Sequence, residues 1–76
     1  MTLKRIFADF NNADYKGRVR LNSQGTVEDI TKNNILLTNG VEILLTDYDS
    51  LQTIGIVEFS EDEQIWVARI NWDSFK

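Results

Sequence analysis

From Thr53 to Trp72 the chain alternates its side chains so regularly that it reads as a two-stranded antiparallel hairpin. With the two-residue period of a strand, Val57, Phe59, Trp66, Ala68, Ile70 and Trp72 share one face. The other face mixes Ile54, Ile56, Glu58, Ile65, Val67, Arg69 and Asn71. The register that aligns the two apolar sets places Phe59 opposite Trp66 and Val57 opposite Ala68, with a four-residue loop between the strands. A slip of one residue would bring Glu58 among the aromatics. A face this apolar must be covered, so residues 1–76 are expected to form a single small β domain.

Chains of this length often lean on disulfides or metals for stability, but the 76 residues include no cysteine and no histidine. Aromatic and aliphatic packing must hold the fold instead, in a well-packed monomer or in a dimer that shares its core. Four Phe, two Trp and two Tyr supply that material. The net charge of −4 is uneven: residues 1–38 carry six basic against four acidic side chains, and residues 39–76 carry two against eight. That acidic total speaks against non-specific nucleic-acid binding by the whole surface. No run approaches the roughly 20 apolar residues of a membrane span. The opening Met-Thr-Leu-Lys-Arg has basic residues without an apolar stretch behind them, so a cytoplasmic location is expected.

Upstream of the hairpin, Lys4 to Phe10 places Ile6, Ala8 and Phe10 on one side, as an opening strand would. Asn11-Asn12-Ala13-Asp14 reads as a turn, and Arg18 to Leu21 as a second short strand pairing back on the first. Thr26 with Asp29, and Val27 with Ile30 at helical spacing, predict a short helix between Asn22 and Asn34. Asn39-Gly40 suits a type I′ turn, which predicts a hairpin of Ile35–Thr38 with Val41–Leu45 and sets Leu36 beside Ile43. Asp47–Ser50 is polar and reads as a loop. These elements add up to an all-β fold, a small antiparallel open or closed barrel of about six short strands with one short helix.

The segment Leu37-Thr38-Asn39-Gly40-Val41-Glu42-Ile43-Leu44-Leu45 resembles the L-x-x-G-x-x-V-x-L opening of SH3-like barrels, which serve in translation, transcription and protein binding. It differs from them in placing two strands and a helix before that segment. With Gly17–Asn22 and Trp66–Asp73, the chain as a whole resembles small bacterial proteins, cyanobacterial ones among them. Neither resemblance carries functional residues over.

Composition rules out Ser-His and Cys-His nucleophilic catalysis and any zinc site built on His and Cys. The nearest carboxylate pairs, Asp47 with Asp49 and Glu61 with Glu63, lie in polar segments where nothing separates their pKa values into acid and base roles. Neither run has the glycine turn and distant glutamate of a calcium loop, and no Gly-rich phosphate motif is present. No catalytic, metal or cofactor site is therefore expected, and a non-enzymatic chain follows.

Two binding readings remain. Ile54, Ile56, Ile65 and Val67 put apolar side chains on the second face of the hairpin, which favours a protein partner or a homo-oligomer. If the first two strands pair, Arg5, Phe7, Arg18 and Arg20 share a surface where single-stranded nucleic acid could stack and pair its phosphates. The leading expectation is a cytoplasmic protein-interaction or assembly module, and the alternative is a small nucleic-acid-binding barrel. Neither a membrane nor a small-molecule substrate is expected as a partner.

Overall fold

The computed structural model describes residues 3–75. Its elements follow in the order β1 (Arg5–Phe7), β2 (Val19–Arg20), α1 (Gln24–Lys32), β3 (Glu42–Thr46), β4 (Gln52–Ser60), β5 (Ile65–Ile70) and a 3-10 turn at Trp72–Phe75. The five strands make one sheet in the order β1-β3-β4-β5-β2, curled into a half-barrel.

The β4–β5 hairpin has the expected register, with Phe59 opposite Trp66 and Val57 opposite Ala68. Residues 61–64 form the loop, closed by a bond from the Gln64 N–H to the Ser60 carbonyl and by a left-handed Gln64 at φ 58°. Inside the curl lie Ile6, Ala8, Phe10, Val19, Leu21, Ile43, Leu45, Val57 and Ala68. Gly55 sits on this face between Ile43 and Ile70, where a Cβ would stand 2.9 Å from a Leu45 methyl and 3.0 Å from the Ala68 Cβ. Only the missing side chain lets the strands close so tightly. Trp66 is half-buried, with its ring edge-to-face on Phe59 at 5.1 Å.

The expected helix is present as α1, packed beside β1. Thr26 and Asp29 do not cap it. The Thr26 hydroxyl donates to the Phe7 carbonyl at 2.7 Å, and the Phe7 N–H donates to the Asp29 carboxylate at 2.7 Å. Both backbone groups are thereby satisfied by the helix rather than by a strand, which blunts β1 as an edge.

Several further expectations need correction. The sheet has five strands rather than six and is mixed rather than antiparallel, because β1 runs parallel to β3. Residues 8–41 provide the long crossover that a parallel pair requires. β1 and β2 do not pair; they stand at opposite ends of the sheet. Asn12–Asp14 takes β1's place beside β2, through Arg20 N–H to Asn12 C=O at 2.9 Å and Asp14 N–H to Arg18 C=O at 2.8 Å.

The Asn39-Gly40 hairpin is also absent: Ile35–Thr38 is not a strand, and Leu36 is 80% exposed. A type I′ turn needs positive φ at both central residues, and of the two only Gly40 has it, at 92°. The Val41 N–H closes the turn on the Thr38 carbonyl, while Gly40 N–H and the Asn39 side chain bond to β4. β3 therefore pairs with β4. Trp72, expected on the apolar strand face, falls in the 3-10 turn instead, where its indole N–H donates to the Gly17 carbonyl at 2.7 Å.

Candidate interaction face

Residues opposite one another in the ladders share a face, so the strand register maps the outer surface of the sheet. One row across it reads Arg5, Leu44, Ile54; the next reads Glu42, Ile56, Arg69; a third reads Glu58, Val67, Arg20. These rows divide the surface into two halves of different chemistry.

The β5–β2 half is ionic. Arg69 pairs with Glu58 at 3.3 Å, Glu58 with Arg18 at 3.2 Å, and Arg18 with Asp14 at 2.9 Å. Arg20 grips Glu63 with two bonds, at 2.7 and 2.8 Å, and also donates to the Asn12 side chain and the Ala13 carbonyl. Burial alone would raise the Asp14 carboxyl, but the Arg18 N–H, the Arg18 guanidinium and the Lys16 N–H outweigh it and hold the group below its usual value. The Arg20 guanidinium likewise holds Glu63 low. Val67, flanked in its row by Glu58 and Arg20, is fully buried.

The β3–β4 half is apolar. Ile54 is 49% exposed, and Leu44 beside it and Ile56 one row on are half-buried. Ile65, half-buried opposite Ser60, lies at the loop end of the hairpin, away from this strip. Of the four apolar residues singled out in the sequence, Ile54 and Ile56 thus come together on an accessible strip, Ile65 stands apart, and Val67 has no surface to offer. Leu44 belongs to the strip through its pairing with Ile54, a partnership invisible until β3 is known to pair with β4.

The four residues of the nucleic-acid reading are not brought together. Arg5 and Phe7 lie on β1, and Arg18 and Arg20 belong to the β2 end of the sheet, because the two strands do not pair. Arg18 and Arg20 are committed to carboxylates. Phe7 stacks on Tyr48 with ring centres 6.4 Å apart and abuts Gly25, while the Arg5 guanidinium lies 5.6 Å over the Tyr48 ring. Beside them a groove of about 380 Å³ is lined by Lys4, Arg5, Asp29, Lys32 and Tyr48, among others. Burial and a hydrogen bond to Asp29 raise the Tyr48 hydroxyl above its ordinary value.

One member of each carboxylate pair, Asp47 and Glu63, is engaged within the fold. Asp47 Oδ1 accepts the backbone N–H groups of Asp49, Ser50 and Leu51, and the bonds from Leu51 and Asp49 keep its carboxyl low. Among the described residues no group of three or more carboxylates is placed to hold a metal ion. None of their helices is long and apolar enough to cross a membrane. No family model, curated protein or solved structure matches the chain.

Proposed function

We propose that this chain is a non-enzymatic protein-interaction or assembly module of the cytoplasm that binds through the outer face of β3 and β4. The observation that carries this reading is the strip of Leu44, Ile54 and Ile56, with Ile54 half exposed, on a surface where Arg18, Arg20, Glu58 and Glu63 of the other half are held in ion pairs of their own. Covering apolar area of this kind favours association by roughly 25 cal/mol per Å² before the costs of docking. Internal salt bridges such as Arg20–Glu63 leave the neighbouring surface little to gain from a charged ligand.

Affinity capture from native lysate with wild-type and Ile56→Lys baits tests the reading, with circular dichroism confirming that both are folded. A protein held by the wild type and lost by Ile56→Lys is the expected result, since a lysine in the centre of the strip would be desolvated without a counter-charge. Identical sets of captured proteins on both baits would overturn it.

A further inference from the structure

The charges that border the apolar strip are complementary to themselves. Ile56 stands between Glu42 on β3 and Arg69 on β5 in one row of paired residues. Glu42 is exposed and has no ion-pair partner among the described residues. Arg69 has a side chain 63% exposed and gives one terminal nitrogen to Glu58, leaving further N–H donors for a second carboxylate.

Consider two sheets packed face to face about a two-fold axis that runs along β4. The operation lays β3 of each copy over β5 of the other, since these strands flank β4 on either side. Ile54 and Ile56 then meet their own counterparts on the axis. Glu42 of each copy comes over Arg69 of the other, once on each side. A foreign partner would have to supply a cation and an anion at this spacing across an apolar centre; a second copy supplies them by symmetry.

We propose that the chain forms an isologous homodimer through the outer strip of β3 and β4, with Ile54 and Ile56 at its centre and two symmetry-related Glu42–Arg69 pairs at its sides. This rests on the reading of the strip as an interface and names the occupant. Sedimentation velocity from micromolar to millimolar concentration, on the wild type, Glu42→Arg, Arg69→Glu and an equimolar mixture of the two variants, provides the test. The wild type sediments as a dimer at the upper end. Each single variant sets like charges against each other twice and weakens dimerisation by about tenfold or more, on the scale of a few exposed charge pairs. The mixture regains the dimer, because each heterodimer contact again joins an arginine to a glutamate. Both substitutions sit at exposed positions, and thermal unfolding of each variant confirms the fold.

A wild type that stays monomeric throughout overturns the homodimer, and so does a dimer that neither single variant weakens or that the mixture fails to restore. If the monomeric wild type still captures a protein in an Ile56-dependent way, the strip remains an interface for a different partner. If it captures none, the interaction reading falls with the homodimer.

Discussion

Asp14 and Arg18 show how a single buried pair can order one side of the molecule. The Asp14 side chain is 1% exposed and receives the Lys16 N–H, the Arg18 N–H and the Arg18 guanidinium, while Arg18 passes its charge on to Glu58. Because the folded carboxyl lies below its ordinary value, its contribution to stability is complete above the unfolded pKa of about 3.9 and disappears as pH falls through the lowered folded value. Asp47 and Glu63 are shifted in the same direction and act in the same window. With no histidine in the chain, no side chain of ordinary pKa titrates between about pH 5 and 8. The urea midpoint is therefore expected to be flat across that range and to fall below about pH 4, with a shallower fall in Asp14→Asn. A midpoint that changes between neutral and mildly acid pH, or an Asn variant with the full acid slope, would contradict this assignment.

Among the elements, β1 depends on α1 for what a neighbouring strand would otherwise give it. Thr26→Val removes the donor to the Phe7 carbonyl, and Asp29→Ala leaves the Phe7 N–H without its acceptor. Each is expected to lower stability by about 1–2 kcal/mol and to speed hydrogen exchange at the Phe7 amide. Unchanged exchange at that amide in Asp29→Ala would show that the helix does not close the edge.

The same element marks the limit of what the sequence discloses. The β4–β5 register was legible because alternation and a short loop determine it locally, and Val27 with Ile30 located α1 for the same reason. The partner of β1 was not legible: three residues can pair with any strand, and the choice of β3 depends on where α1 and the 12–14 segment come to lie. Asn39-Gly40 misled because one positive φ is not two. Ile54 and Ile56 could be read as outward-facing from the alternation, whereas the burial of Val67 between Glu58 and Arg20 depends on β2 pairing with β5.

Across the molecule as a whole, each lateral edge of the sheet is partly covered, Phe7 of β1 by α1 side chains and β2 by Asn12–Asp14, which leaves little edge for strand addition there. On the β5–β2 half of the outer face Arg18, Arg20, Glu58 and Glu63 are held in ion pairs of their own, while Arg69 at its border keeps a largely exposed guanidinium. What is left for contact is the apolar β3–β4 half with that border, and the central claim is that it is covered in the cell by another protein surface. Methyl NMR of the isotope-labelled chain, in buffer from micromolar to millimolar concentration and at micromolar concentration in native cell extract, observes that strip directly. Binding there, to a second copy or to a different protein, is expected to shift or broaden the methyl signals of Leu44, Ile54 and Ile56 with rising concentration or on transfer to the extract, while those of the buried Ile6 and Ile43 stay in place. Spectra in which the three strip methyls respond to neither concentration nor extract, or in which the changes fall on Ile30 and Ile35 instead, would contradict the account.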